Sequence, residues 1–167
     1  MKSEKTNVMR LLDKAKIKYE PHEYPHGSEA VDGLTVAKLC GFDPECVFKT
    51  LVARGTSKNV YVFVIPVSSE LDLKKAAKAV GEKSVEMIKS KDLLPLTGYI
   101  HGGCSPIGMK KFFKTTVHYT AADYDTIFFS GGRIGFQIEL GTEDLAKVID
   151  FKLEDIIKED LIQNENF

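Results

Sequence analysis

Lys49 interrupts the apolar run Val47-Phe48-Lys49-Thr50-Leu51-Val52. An ammonium on such a strand is expensive to bury unless it meets an anion, so the position suggests a phosphate or a developing oxyanion. The strand alone leaves open a solvent-facing lysine whose stem packs along the surface. Two glycine-rich loops add a second kind of chemistry. Gly102-Gly103-Cys104-Ser105-Pro106-Ile107-Gly108 and Ser130-Gly131-Gly132-Arg133 would each let a backbone approach a small polar substrate closely. Simple turn formation is the plainer reading of both. Cys104 stands three residues after His101, but loop neighbours at that spacing have no reason to meet, and no third group orients them. Cys104 is therefore read as an incidental loop thiol. There is no G-x-S-x-G elbow and no phosphate-binding P-loop. The four histidines, His22, His26, His101 and His118, are scattered, and no metal is expected. Lys110, Lys111 and Lys114 follow the first glycine loop with no acid before Asp123, and six lysines lie between Lys74 and Lys91 against Glu82 and Glu86. Such runs can track a nucleic-acid backbone; for the second run a solvated face fits equally well.

The elements that must position these groups follow from local pattern. Val8, Leu11, Leu12 and Ala15 recur at helical spacing and predict a helix over 5–16. A strand towards Tyr24 follows, and Pro21 and Pro25 make it an edge strand or an irregular one. A second helix runs from about Ser28 or Leu34 to Cys40 and ends at Gly41, and Asp43-Pro44-Glu45 predicts a short third one. Strands at 48–53 and 60–65 flank turn residues and predict a hairpin, with the second strand apolar enough to be covered on both faces. Asp72 or Ser69 caps a lysine-rich helix ending at Gly81. A short strand at 85–87 and a helix from Ser90 lead into the first glycine loop. Strands are predicted at 115–119, 126–129 and 135–140, followed by a helix capped by Thr142 and running through Val148. The chain from Asp150, with six acids and two lysines, reads as a polar helix or solvated tail, and 157–167 as a polar terminal tail.

A length of 167 residues fits one domain, 1–167, with enough core to need no disulfide or metal staple. The formal net charge of −1 argues against a histone-like nucleic-acid binder without excluding a local basic patch. No apolar run is long enough for a membrane span, and three cysteines without a pairing framework suit a reducing, cytoplasmic setting. Strands and helices alternate irregularly, so the expected fold is α/β (α+β). Its sheet would be mixed, partly closed like a barrel and flanked by helices, not doubly wound.

Six segments occur together in order. They are Val47-Phe48-Lys49-Thr50-Leu51, Glu70-Leu71-Asp72-Leu73-Lys74-Lys75, Thr97-Gly98-Tyr99, the 102–108 loop, Ser130-Gly131-Gly132-Arg133 and Gln137-Ile138-Glu139-Leu140. The set resembles the YbaK/EbsC family, free-standing relatives of the prolyl-tRNA synthetase editing domain, from about Lys5 to about Ile156. The resemblance implies hydrolytic clearance of a mischarged amino acid, cysteine above all, from tRNA(Pro), with no cofactor. Prolyl-tRNA synthetase accepts cysteine and alanine because size exclusion cannot reject a smaller side chain, and a second sieve is the physical remedy.

By the same resemblance Lys49 is the essential side chain, meeting the terminal phosphate or the ester oxygen. The loop of Gly102, Gly103, Cys104, Ser105 and Pro106 holds the amino group and carbonyl through its backbone, with Cys104 a bystander. Tyr24, Thr50, Ser130 and Gly131 line the same pocket. Some relatives carry an acid where Gln137 stands; an amide lacks the negative charge with which that acid would pair a substrate ammonium, so this chain would rely on backbone carbonyls or differ in substrate preference. The implied partners are the tRNA(Pro) acceptor end and prolyl-tRNA synthetase; the oligomeric state is left open. The alternatives are a water-using deacylase of Ala-tRNA(Pro) or of broader range, and a non-catalytic module that binds tRNA acceptor ends.

Overall fold

The computed structural model describes residues 5–159. Its elements follow the order expected, with local differences that bear on the site. Helix α1 (Asn7–Lys14) starts at Thr6, whose hydroxyl accepts from the Met9 amide, and buries Val8, Met9 and Leu12. Strand β1 (Glu20–Glu23) lies at a sheet edge, where Pro21 is tolerated. Helix α2 (Gly33–Cys40) is capped by Asp32 and closed by Gly41 at φ 75°. A left-handed closing residue favours glycine because it lacks a Cβ to clash.

Strands β2 (Phe48–Gly55) and β3 (Val60–Pro66) form the expected antiparallel hairpin. Helix α3 (Leu73–Val80) is capped by Asp72, whose carboxylate accepts from the Lys74 and Lys75 amides, and ends at Gly81. Strand β4 (Val85–Met87) and helix α4 (Ser90–Thr97) follow, then β5 (Lys114–His118) and a 3-10 turn, Tyr119–Asp123. Strands β6 (Ile127–Ser130) and β7 (Phe136–Leu140), the short helix α5 (Thr142–Leu145) and β8 (Lys152–Glu154) complete the chain.

The strands form two sheets. One is antiparallel in the order β1-β7-β6; the other is mixed, in the order β4-β2-β3-β5-β8. They abut where Val47 bridges Phe128, with the Phe128 amide donating to the Cys46 carbonyl at 2.9 Å. The sheets do not close into a full barrel. β3 is covered on both faces, as its composition suggested. Val62 and Val64 face the larger core with α1, β6 and β7, while Phe63 and Ile65 pack with Ala76 and Ala77 of α3 and with Ile156. Burying a side chain such as Phe63 contributes roughly 1.5–3 kcal/mol, so this strand anchors both layers.

Three local expectations are corrected. Residues 43–46 form a turn, not a helix: Asp43 accepts from the Glu45 amide through its side chain and from the Cys46 amide through its carbonyl. At α5 the cap is Gly141, Thr142 is the first helical residue, and the helix stops at Leu145. The chain from Asp150 is not a solvated tail throughout, since β8 pairs in parallel with β5, Ile156 is fully buried and Ile157 bridges Leu71. Of the expected 157–167 tail, residues beyond Glu159 lie outside the described residues. Among the described residues no helix is long and apolar enough to cross a membrane.

Candidate active site

The junction of the two sheets opens into a cavity of about 320 Å³. One wall is β2, contributing Phe48, Lys49, Thr50 and Leu51; α2 and the residues before it contribute Val31, Asp32, Gly33 and Val36. The glycine loop supplies Gly102 and Cys104, and the other sheet supplies Ser130 and Gln137. Ser130 and Gln137 are directly paired across β6 and β7, so the register of that hairpin brings both side chains to one face.

The loop after α4 is held by its own residues. The Tyr99 hydroxyl donates to the Ile107 carbonyl, and the Gly103 amide donates to the Ile100 carbonyl at 3.0 Å. Gly102 sits at φ +89°, and a Cβ there would lie 2.7 Å from Ala30 Cβ. At Gly103 a Cβ would come within 3.2 Å of the Arg133 and Ile134 backbone. Glycine at both positions lets the loop lie close against Ala30 on one side and the 133–134 backbone on the other.

Polar groups converge on a mostly apolar lining. Lys49 is half-buried, and desolvation holds its ammonium below the usual lysine range, partly countered by the Glu70 carboxylate. Thr50 Oγ1 and Gln137 Oε1 are buried with no hydrogen-bond partner among the described residues. Such orphaned oxygens are rare in folded proteins, and at a cavity wall they are suited to a ligand's donors. Gln137 is only 6% exposed. Ser130 Oγ accepts from the Gly132 amide at 3.1 Å, which leaves its own proton free to donate. Burial pushes the Tyr24 hydroxyl up, opposed by hydrogen bonding at the Gly135 backbone. Asp32 is committed to α2, accepting from the Thr35 amide at 3.0 Å and its hydroxyl at 2.7 Å. Burial pushes the Cys104 thiol up to about 12, opposed by hydrogen bonding with Thr97, so the thiol stays protonated near neutrality.

Of the residues singled out from sequence, Lys49, Tyr24, Thr50, Gly102, Cys104, Ser130 and Gln137 line one cavity. Gly103, Ser105, Pro106 and Gly131 do not. The Gly103 and Gly131 amides are spent on the Ile100 and Phe136 carbonyls. Ser105 is fully buried, accepting from the Ile107 amide at 3.3 Å, and Pro106 faces a separate cleft. The apolar wall formed by Val31, Val36, Val47, Leu51, Val67 and Leu93 was not foreseen, because these residues carry the ordinary signature of core. His101 also reaches the lining, but no hydrogen bond joins it to Cys104. His22 pairs instead with Glu139 at 2.9 Å. Among the described residues no group of three or more His, Cys, Asp or Glu side chains is placed to hold a metal ion.

Residues 29–148 match the family model described as the aminoacyl-tRNA editing domain. The chain is 43% identical over 153 residues to an Enterococcus faecalis protein provisionally named Cys-tRNA(Pro)/Cys-tRNA(Cys) deacylase EbsC, covering 92% of this chain and 93% of that one. Among solved structures, a candidate trans-editing enzyme for prolyl-tRNA synthetase superposes with a TM-score of 0.79 at 19% identity, over 93% of this chain and all of the other. The hypothetical protein APE2540 gives 0.82 at 19% identity, over 92% of this chain and all of its own. The last two establish the fold; the family match and the 43% identity establish the family. The chain belongs to the aminoacyl-tRNA editing domain family.

Proposed function

We propose that this protein is a trans-editing deacylase that hydrolyses Cys-tRNA(Pro), with the cysteinyl group bound in the cavity between β2, α2 and the β6–β7 hairpin. The observation that carries the reading is the pair of unpartnered buried oxygens, Thr50 Oγ1 and Gln137 Oε1, in the cavity that also holds the half-buried Lys49. An aminoacyl ester presents a complementary set, namely an ammonium that donates, a carbonyl that accepts, and anionic phosphate behind it. Gln137 and Thr50 accept from the α-ammonium. The free proton of Ser130 serves the carbonyl, and Lys49 stabilises negative charge on the ester oxygen or the terminal phosphate. Partial burial strengthens the lysine's field relative to water.

The chemistry needs no protein nucleophile. The substrate's own sulfur, once deprotonated, attacks the ester carbonyl carbon, and the bond from that carbon to the ribose oxygen breaks. The ribose oxygen leaves as a hydroxyl, taking up a proton to match the one the thiol lost. Water then opens the resulting thiolactone to free cysteine. Holding sulfur and carbonyl in an attacking geometry supplies up to roughly 7–11 kcal/mol. Gly102 and the apolar wall of Val31, Val36 and Leu51 suit this role, since they shape and dry the site without competing chemistry. Cys104, held protonated, stays outside it.

The name of the 43% identical relative spans Cys-tRNA(Pro) and Cys-tRNA(Cys), which supports a site that reads the aminoacyl end and leaves tRNA identity to another protein. Prolyl-tRNA synthetase is the partner this reading implies, in the cytoplasm where aminoacylation occurs. Co-migration of the two proteins with tRNA(Pro) at micromolar concentration tests the partnership, and independent migration refutes it. The function itself is tested by deacylation of Cys-tRNA(Pro) beside Ala-tRNA(Pro), with wild type and Lys49→Ala. Clearance of cysteine alone, abolished by the substitution, is expected. Clearance of alanine would place the chain with water-using deacylases, and clearance of neither would leave a binding module.

A further inference from the structure

A second feature lies along the loop that leaves the cavity. Lys58, Asn59, Val60, Tyr61, Leu96 and the 111–114 segment line a groove of about 440 Å³. Lys111, Phe112 and Phe113 also line an adjoining cleft of about 180 Å³ with Pro106 and Gly108. Phe112, shared by both, is 60% exposed, more than any other large apolar side chain among the described residues. Of the groove's charged residues, Lys58, Lys111 and Lys114, none makes an ion pair among the described residues, although Lys111 Nζ stands 5.5 Å from the Phe113 ring centroid. From Leu93 to Ala122 the chain has no acidic residue. Glu82 touches one lining residue, accepting from the Tyr61 hydroxyl at 2.5 Å, and is further engaged by the Ser57 amide and hydroxyl.

Lys58 adds an independent sign. It sits at φ +80° in the β2–β3 turn, where asparagine or glycine would be less strained. The groove and the cavity are lined by the same two elements, α4 and the loop after it. On α4, Leu93 lines the cavity and Leu96, one turn on, lines the groove. The loop that supplies Gly102 and Cys104 to the cavity runs through Pro106 and Gly108 to the groove at Lys111.

Resting on the deacylase reading above, we propose that this groove carries the RNA strand that leads to the aminoacylated end. Lys58, Lys111 and Lys114 meet successive backbone phosphates, and Phe112 stacks on an unpaired base. Three unpaired ammoniums with an exposed aromatic ring match the chemistry of a single strand, whose bases offer faces to stack and whose phosphates repeat along one edge. The contact is independent of sequence, in keeping with a site that reads the amino acid.

The test uses the full chain and an uncharged, fluorescent RNA hairpin ending in an unpaired ACCA, with affinity measured by anisotropy across a salt series. Lys58→Ala/Lys111→Ala/Lys114→Ala is expected to weaken binding at low salt by about tenfold or more. It should also flatten the slope of log K against log salt by about 2–3. Phe112→Ala should weaken binding about five- to tenfold with the slope unchanged. In deacylation assays both variants should raise KM for Cys-tRNA(Pro), leave kcat unchanged, and turn over the cysteinyl ester of adenosine like wild type. Unchanged hairpin affinity and slope would overturn the proposal, as would equal losses on tRNA and on the adenosine ester. Loss of binding to anionic lipid vesicles with hairpin binding intact would overturn it too, assigning the groove to a membrane. If the hairpin results hold while wild type deacylates nothing, the groove stands and the deacylase reading falls. Normal deacylation with unaffected hairpin binding gives the converse.

Discussion

Thr50→Val and Gln137→Met each replace an orphaned oxygen with an apolar group of similar shape, leaving the fold nothing to lose. Thr50 Oγ1 and Gln137 Oε1 are buried without partners among the described residues. An unsatisfied buried polar group costs roughly 1–3 kcal/mol, and the lower end applies at the wall of a cavity that water can enter. Each substitution should therefore stabilise the free protein by about 1 kcal/mol, a rise in Tm of about 2–4 °C for a chain of this size. Catalysis should move the opposite way. A hydrogen bond to a charged group contributes about 1.5–3 kcal/mol, so losing one to the substrate ammonium should lower kcat/KM about 10- to 150-fold. Thermal melting without substrate and single-turnover deacylation of Cys-tRNA(Pro) measure the two effects on the same preparations. The two residues line one cavity, so the double variant need not show the sum of the single effects. Variants that melt lower and deacylate at the wild-type rate would refute the reasoning, because the oxygens would then serve the fold.

Lys49 should show the same opposition as a function of pH. Its folded value lies below 10.5 because burial penalises the ammonium, so the unfolded chain binds more protons between the two values and stability rises with pH through that window. Lys49→Met should abolish that rise, melting at or above wild type at neutral pH with the gap closing towards pH 10.5; melts on both proteins from neutrality upward check it. Cys104→Ala should retain deacylation, and iodoacetamide with mass mapping at pH 8 should find Cys104 nearly unreacted, its thiol being pushed up to about 12. A loss of about 10²-fold or more would restore it as a catalytic candidate. Gly102→Ala combines a left-handed backbone penalty of about 1–2 kcal/mol with overpacking of about 1–3 kcal/mol against Ala30. Gly41→Ala, also left-handed but with nothing within 4 Å of the added carbon, should carry the first cost alone, so Gly102→Ala should melt lower.

What was legible in the sequence was what local chemistry determines. Gly41 ends α2, and Asp72 with Gly81 fixes both ends of α3, through bonds spanning a few residues, whereas the Asp32 cap of α2 was not foreseen. β8 escaped notice because Lys152-Leu153-Glu154 has neither β-branched residues nor a buried face, and exists as a strand only through pairing with β5, 36 residues earlier at Thr116↔Lys152. Asp43-Pro44 carries a helix-start signature, yet the chain must turn at once to bring Val47 against Phe128. In the site, Lys49 stood out because it breaks an apolar run. Val31, Val36 and Leu93 did not, since an apolar residue lining a ligand cavity and one filling a core obey the same pattern. Ser105 and Pro106 share the glycine loop with Gly102, but the fold of that loop, set by Tyr99 reaching Ile107, directs them elsewhere.

The central claim is that the substrate's sulfur performs the cleavage inside a cavity that positions it and supplies no nucleophile of its own. Single-turnover deacylation of Cys-tRNA(Pro) beside Ser-tRNA(Pro) tests it most directly, because serine differs from cysteine only in carrying oxygen for sulfur and is the poorer nucleophile. The account predicts rapid loss of cysteine while the serine ester decays no faster than without protein. Serine released at a rate comparable to cysteine would contradict it and require water as the attacking group.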